Sequence, residues 1–344
     1  MMFSRRSLLL SLASAPLGAL ALSGCNGCRS SSKPEVVVYT SVDQVFSEPV
    51  FRAFESQTGV RVRAVYDTEE TKSTGVLNRI VAEARNPQAD VFWSGDPVRP
   101  FQLMRRSLHE RYVSPQAAGL PVSARAADGA WTGFAARARV LLVNRARVPA
   151  AEMPRSVRDL TNPRWRGQIT IANPLFGTTT MHVAALFSVW GEERTRAFLR
   201  DLRTNGARIA SSNGEVKRLV VSGEVAFGLT DTDDAHEAQQ EGANVEVVYP
   251  DQDELGTLFM PTAVVLLRRA PHRDAGRRLV DYLLSASVEQ QMAERAAHMP
   301  LRAGVRTPAN VRSAEGLRPM LVDYARVSEQ IEAQQGWLRE WMGL

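Results

Sequence analysis

Three aspartates lie within four positions of the chain, at Asp231, Asp233 and Asp234, shortly after the apolar run 225–227. Carboxylates this close repel one another, and no Lys or Arg lies within nine residues on either side to neutralise them. Carboxylate oxygens are the ligands that hard cations such as Ca²⁺, Mg²⁺, Mn²⁺ and Fe³⁺ prefer. The cluster therefore predicts a site for a hard metal ion or for the ammonium group of an organic solute.

Helix capping is the alternative role for these aspartates. An Asp at a helix start accepts hydrogen bonds from the free N–H groups of the first turn, and its charge suits the positive end of the helix dipole. Asp231 or Asp234 could serve the following helix in this way. A helix start needs only one or two such residues, so capping does not account for all three.

The first part of the chain alternates predicted strands with predicted helices. Strands are predicted at 35–40, 60–66 and 89–94, and helices at 47–59 and 71–85. Strands that alternate with helices form parallel, doubly wound sheets, whose ligands bind beyond the carboxyl ends of the strands. Those ends carry mostly acidic and hydroxyl side chains, at 40–43, 67–70 and 94–96.

A second α/β unit follows. Strands are predicted at 140–143, 168–172, 225–229 and 258–267, and helices up to 190 and at 213–221, 274–284 and 314–344. Two α/β units joined by strands near 135–143 and 257–267 predict a two-lobed fold with a cleft between the lobes. The predicted first lobe is 35–134 plus 260–305, and the second is 135–259 plus 306–344.

The N-terminal residues 1–24 resemble a secretory signal peptide. Arg5 and Arg6 precede an apolar stretch at 8–22, which is short for a membrane span and ends in Leu-Ser-Gly-Cys. This ending resembles a bacterial lipobox and predicts lipidation of Cys25, with residues 25–34 as a polar tether. The twin-arginine and the general export routes both stay open, as does anchoring to the inner or the outer membrane.

Composition excludes several function classes. The chain has 42 Lys and Arg, 37 Asp and Glu and a formal charge of +5, which falls to +3 when residues 1–24 are removed. The basic residues are scattered and form no stripe interleaved with aromatics, so a nucleic-acid partner is not predicted. The only cysteines, Cys25 and Cys28, lie in the tether, so neither a redox pair nor a disulfide within the fold is predicted.

Six segments within residues 35–300 carry a resemblance to a known family. They are VVVYTSVDQ, QADVFWSGD, ARARVLLVN, NPRWRGQITIANP, NGEVKRLVVSGEVAFGL and RRLVDYLLSASVEQ. Their order and spacing resemble the bacterial extracellular solute-binding proteins, specifically the ferric-ion-binding branch of the receptors of ABC importers. The resemblance implies an α/β, type II periplasmic-binding-protein fold that closes on its ligand. It also implies delivery of that ligand to a permease and its ATPase, with no catalysis and no cofactor, by a chain expected to be monomeric.

The resemblance also implies ligand positions. Iron-binding members hold the metal through a His, a Glu and two adjacent Tyr, with a small anion completing the shell. Aligned locally, the His position falls on Asp43, the Glu position on Glu83, and the Tyr positions on Asp233 and Asp234. The predicted ligand is therefore ferric iron or another hard metal ion, held by Asp43, Glu83, Asp231, Asp233 and Asp234. Asp43 as a turn residue and Glu83 as a solvated helix residue are the alternatives.

A second set of positions suits an anion. The resemblance places the family's anion site near Gly177, Thr178 and Thr179, with Asn213 close by, where helix starts offer N–H groups. Arg137 could add a bidentate contact. An organophosphonate or a sugar phosphate is therefore the alternative ligand, with its amine or hydroxyl groups on the aspartates. Ordinary N-capping is the alternative role for the threonines.

Two other functions are weighed against the receptor of an ABC importer. Paired carboxylates could serve a metal-dependent enzyme, but the sequence has no H-E-x-x-H, G-x-S-x-G or P-loop motif. A receptor that presents its ligand to a sensor kinase would have the same sequence features. The favoured prediction is a lipid-anchored, non-enzymatic solute receptor in the periplasm or cell envelope.

Overall fold

A computed structural model describes residues 34–67, 74–309, 311–312, 314 and 316–344. The predicted signal peptide, Cys25 and the tether up to residue 33 lie outside the described residues. The described residues from 34 onwards group into one compact unit. Within the described ranges, no helix is long and apolar enough to cross a membrane.

The first sheet has the predicted β-α-β-α-β order. Its elements are β1 (Glu35–Thr40), α1 (Gln44–Thr58), β2 (Arg61–Tyr66), α2 (Gly75–Ala82) and β3 (Val91–Ser94). Both β2 and β3 pair in parallel with β1, and β2 is the edge strand. The edge position explains why β2 alternates Val with Arg, whereas β1 and β3 are almost entirely buried.

Helix α1 begins at Gln44, three residues before the predicted start at 47. The carbonyl of Asp43 accepts the N–H groups of Phe46 and Ser47, and the Ser47 hydroxyl also donates to it at 2.9 Å. These bonds form the first turn before the chain reaches Pro49, which lies inside the helix. The consequence is that Asp43 stands at the helix start, directly after β1.

Strand β5 (Thr132–Asn144) links the two sheets and follows α3 (Arg99–Arg105) and β4 (His109–Glu110). It is buried along all 13 residues and includes the strand predicted at 140–143 and the joining strand predicted near 135–143. Its first half pairs with a late strand of the first sheet and its second half with the second sheet. Arg137 and Arg139 therefore lie inside the strand.

The second sheet is also doubly wound. Its elements are β6 (Ile169–Ala172), α4 (Gly177–Trp190), α5 (Glu192–Thr204), β7 (Arg208–Ala210), α6 (Asn213–Val221), β8 (Phe227–Asp231), α7 (Thr232–Gln240) and β9 (Val245–Val248). Both β7 and β8 pair in parallel with β6, and β8 and β9 pair antiparallel with β5. A Cβ on Gly228 would lie 2.5 Å from the Thr170 side chain, so glycine permits the close approach of β8 to β6.

The C-terminal elements return to both sheets. They are β10 (Phe259–Leu267), α8 (Arg273–Leu283), α9 (Ala286–Ala296) and α10 (Tyr324–Met342). Strand β10 pairs with β3, β4 and β5, and α10 packs along α4. Helix α10 is shorter than the predicted helix at 314–344, because the Asp323 side chain caps its start at the N–H of Ala325.

Buried apolar clusters cover both faces of each sheet. Trp93 of β3 packs between Phe51 and Phe134, with ring centroids 5.6 and 5.7 Å away. In the second sheet Phe227 packs against Trp165 at 5.4 Å. Strands β5 and β10 both contribute residues to the cores of the two sheets. The residue boundaries of the two lobes therefore stay a prediction.

Candidate ligand-binding cleft

A cavity of about 470 Å³ lies where the strands of both sheets end. One wall comes from the segments that follow β1 and β2, and the other from the segments that follow β6, β7 and β8. The carboxyl ends of parallel strands lie at one edge of a sheet, which is why residues distant in sequence meet there. Four helices, α1, α4, α6 and α7, begin at this cleft and direct the positive ends of their dipoles towards it.

The described lining of the cleft is strongly acidic. One guanidinium, Arg137, faces six carboxylates, which belong to Asp43, Asp67, Asp231, Asp233, Asp234 and Glu237. Oxygens of Asp231, Asp233 and Asp234 lie within 4.8 Å of one another. The described lining therefore carries an excess of negative charge, although Asp231 also pairs with Arg139 and Glu237 with Lys217.

Asp231 is the best-satisfied member of the cluster and is only 1 % exposed. Its Oδ1 accepts from Arg139, which lies opposite it in the β5–β8 pairing, and its Oδ2 accepts from Arg137 at 3.1 Å. The Thr178 hydroxyl donates to Oδ2 at 2.8 Å and the Asn213 amide at 3.3 Å. The cations that neutralise this aspartate are therefore two arginines about ninety residues away in sequence, at positions 137 and 139.

Asp233 and Asp234 accept hydrogen bonds from other groups. Oδ2 of Asp233 accepts from Arg137 at 3.0 Å, and its Oδ1 accepts the N–H of Asp234 at 3.2 Å. Asp234 accepts from the Thr230 hydroxyl at 3.0 Å and is half-buried. Asp231 occupies the N-cap position of α7, yet its side chain makes no capping bond. Its carboxylate serves the arginines of β5 instead.

Arg137 links the two walls at the floor of the cleft. Its Nη2 donates to the Gly95 carbonyl at 2.6 Å, and its Nη1 reaches both Asp231 and Asp233. Burial would lower the pKa of Arg137, but the charges of Asp233, Asp231 and Asp43 outweigh it and raise that pKa. Asp43, on the opposite wall, therefore belongs to the same electrostatic cluster, as predicted from its position after β1.

Two buried histidines add no positive charge to this network. Burial, followed by the charge of Arg139, lowers the pKa of His182 to about 3. Burial, followed by the charge of Arg137, does the same for His298. Both rings are therefore neutral at physiological pH, and the arginines keep the aspartates as their ionic partners.

Glu83 is the one predicted ligand that the structure does not bring to the cleft. The start of α2 lies near the cleft, where the N–H of Val76 reaches Asp67 at 3.4 Å. Glu83 follows the C-terminal end of α2, roughly 12 Å from the start of the helix at a rise of 1.5 Å per residue. There it accepts from Arg79 and from the Tyr39 hydroxyl, both at 2.9 Å. These two contacts account for the position of the Glu83 carboxylate without a bound ligand.

The predicted anion positions all line the cleft, but their side chains are already engaged. Thr178 and Asn213 donate to Asp231, and Thr179 accepts from Arg139 at 3.2 Å. Phe176 is the N-cap residue of α4, and no side chain caps that helix. Capping is therefore not the role of the threonines, and Gly177 begins the helix beside them at a φ of 59°.

Sequence reasoning missed Tyr66, Glu237 and the pairing role of Arg139. Tyr66 ends β2 and lines the cleft, and burial, followed by the charge of Glu48, raises its pKa to about 12. The rule that ligands bind beyond strand ends had already pointed to this edge. Glu237 lies one turn after Asp233, so an exact start for α7 would have placed both on one helix face.

The fold belongs to a known class of two-lobed receptors. Iron-bound HitA from Pseudomonas aeruginosa superposes with a TM-score of 0.82, covering 90 % of this chain and 100 % of the other, at 23 % identity. At that identity the likeness concerns the fold alone, and it confirms the predicted type II periplasmic-binding-protein fold. Residues 86–330 match the family of bacterial extracellular solute-binding proteins, so the chain belongs to that family.

Relatives found by sequence comparison are also named as proteins of solute uptake or binding. Iron uptake protein A1 of Synechocystis sp. is 28 % identical over 283 residues, which cover 79 % of this chain and 77 % of the relative. A periplasmic protein of Salmonella typhimurium, named as a candidate binder of 2-aminoethylphosphonate, is 25 % identical over 304 residues, covering 87 % and 83 %. The family comprises binding proteins and not enzymes, and its members are exported components of ABC importers. The predicted non-enzymatic role, export to the periplasm and a permease partner follow from membership.

Proposed function

We propose that this receptor captures a solute that carries a positive charge, either a metal ion or an ammonium group, in the acidic cleft and delivers it to the permease of an ABC importer. The observation that carries the proposal is the charge of the described part of the lining, which has six carboxylates and one guanidinium, with Asp231 also paired to Arg139 and Glu237 to Lys217. A hard metal ion is the first candidate, because its preferred ligands are carboxylate oxygens. Ferric iron comes first among such ions, since the relatives include Iron uptake protein A1.

The ligands for such an ion would come from both walls. Asp43 and Asp67 stand on one wall, and Asp233 and Asp234 stand on the other. Glu237 also lines the second wall, but it pairs with Lys217 at 2.6 Å. Asp231 has both oxygens engaged by arginine, so its role is to support the site and not to coordinate the ion. Tyr66 keeps its proton at neutral pH and would donate a hydrogen bond to a bound anion.

A solute that joins an amine to a phosphonate or sugar phosphate is the second candidate. The cavity volume of about 470 Å³ falls in the range of small-molecule sites, roughly 300–1,000 Å³, and exceeds what a bare ion needs. The ammonium would lie on the carboxylates, and the anionic group at the starts of α4 and α6. The Salmonella relative supports this candidate by its name.

A ligand panel tests the proposal. We expect the melting temperature of the mature protein to rise with one of Fe³⁺–nitrilotriacetate, Mn²⁺, Ca²⁺ or 2-aminoethylphosphonate, and not with fructose-6-phosphate, which carries no positive charge. A ligand that binds only the folded state at a hundred times its Kd stabilises by about 2.7 kcal/mol, a readily measured shift. Calorimetric titration of the positive ligand gives its Kd, and phosphate alone is the control. A receptor that binds phosphate but no metal ion and no amine would contradict the cationic assignment.

We further propose that a lipid on Cys25 anchors the mature receptor to the membrane, as the Leu-Ser-Gly-Cys sequence predicts. We expect mass spectrometry of the membrane fraction to give a mature chain that begins at Cys25 and carries acyl groups. Cys25→Ser should release the protein in soluble form, whereas Cys28→Ser should leave it anchored. A wild-type mature chain without acyl groups would contradict the anchor.

A further inference from the structure

Arg137 has the position that a bound cation would need. Its Nη1 lies 3.1 Å from an oxygen of Asp231 and 3.0 Å from an oxygen of Asp233, so one N–H₂ group bridges two carboxylates. The side chain is 7 % exposed, yet it lines the cleft. The donation from Nη2 to Gly95 holds the guanidinium against the floor.

The two carboxylates depend on Arg137 to different degrees. Asp231 also pairs with Arg139, which is fully buried, and with the hydroxyl of Thr178. Asp231 is therefore neutralised without Arg137. Asp233 has Arg137 as its one ion-pair partner among the described residues, and it faces the cleft. Arg137 therefore matters most for Asp233, because it reduces the negative charge that this carboxylate presents to a solute.

We propose that Arg137 is the resident cation of the cleft, which competes with the solute for Asp233 and thereby limits the affinity for cations. This inference rests on the proposed function, because it concerns the same site. Arg137 repels a metal ion on Asp233 and occupies one of its oxygens.

Arg137→Gln is the direct test, read by calorimetric titration with Mn²⁺ alone and La³⁺ alone. At an effective dielectric constant of about 20, the repulsion between two unit charges about 6 Å apart changes an equilibrium constant roughly a hundredfold, and it grows with the charge of the ion. Relaxation of the site reduces this effect, so we expect Mn²⁺ to bind at least about tenfold more tightly than to wild type and La³⁺ to gain more than Mn²⁺. Arg137→Lys keeps the charge and should bind them within about threefold of wild type. Arg79→Gln removes the same charge from an ion pair outside the cleft and should change nothing.

Three roles of Arg137 predict different changes in the affinity of Arg137→Gln for metal ions. A resident cation predicts tighter metal binding in Arg137→Gln, a purely structural role predicts weaker binding, and an anion-binding role predicts unchanged metal binding with weaker phosphonate binding. Either of the last two results overturns the inference. If Arg137→Gln binds a metal ion and wild type does not, the result supports the inference about Arg137. The same result contradicts the proposal that the receptor carries a metal ion.

A measurement on the wild-type protein covers the case in which Arg137→Gln does not fold. In protein labelled with ¹⁵N-arginine, the side-chain resonance of Arg137, assigned from Arg137→Lys, should shift when La³⁺ displaces the guanidinium from Asp233. The resonance of Arg79 should stay in place. Saturation with La³⁺ without any shift of the Arg137 resonance overturns the inference.

Discussion

Replacing Asp233 and Asp234 together by Asn is expected to weaken binding of the cationic solute at least about a hundredfold. Each carboxylate contributes an attraction equivalent to tenfold or more at the short distances of a binding site, even with substantial screening. Both side chains line the cleft, and Asn keeps their size while it removes their charge. Calorimetric titration with the solute identified in the ligand panel measures the effect.

Glu246→Gln is the control for this pair. Glu246 lies in β9, and its carboxylate pairs with Arg145 and is not part of the cleft lining. We expect its affinity to equal that of wild type. If the double variant binds as tightly as wild type, Asp233 and Asp234 are not ligands and the binding site must be sought elsewhere.

Asp231→Ala is expected to destabilise the fold by about 3–5 kcal/mol, a far larger loss than for either neighbouring aspartate. Removal of one partner of a buried ion pair leaves an uncompensated charge, which costs about that much. Here the stranded charge is Arg139, a fully buried residue whose main ionic partner is Asp231. Urea unfolding followed by circular dichroism measures the loss in free energy of unfolding.

Asp234→Asn is the comparison for stability. Asp234 is half-buried and accepts from the Thr230 hydroxyl, a bond that an Asn oxygen can also accept. We expect it to change the free energy of unfolding by less than about 1 kcal/mol, in the range of ordinary surface substitutions. Equal stability of Asp231→Ala and wild type would show that Arg139 does not depend on Asp231.

These two results together would assign different roles to aspartates that the sequence presents as one cluster. Asp231 ends a strand and faces the arginines of the adjacent strand, whereas Asp233 and Asp234 lie in the first turn of the next helix. The division follows from where β8 ends. The predicted strand stopped at 229, and extending it by two residues moves Asp231 into the sheet.

Local sequence was sufficient for most of the elements and for the general position of the site. The alternation of apolar strands with amphipathic helices predicted both parallel sheets, and the Gly59 stop and Ser212 cap are local signals that the structure retains. The end-of-strand rule predicted that Asp43 and the aspartates after β8 would face one cleft. Such features depend on residues that are close together in the sequence, so the sequence alone is enough to predict them.

Pairing across long separations decided the rest. The charge partners of Asp231 lie on β5, and their alignment depends on the register of Arg139 opposite Asp231, which no local pattern encodes. Glu83 was placed in the cleft by alignment, yet the length of α2 carries it away. A buried carboxylate must find a partner to offset its desolvation, and the packed sheet alone determines which arginine comes within reach.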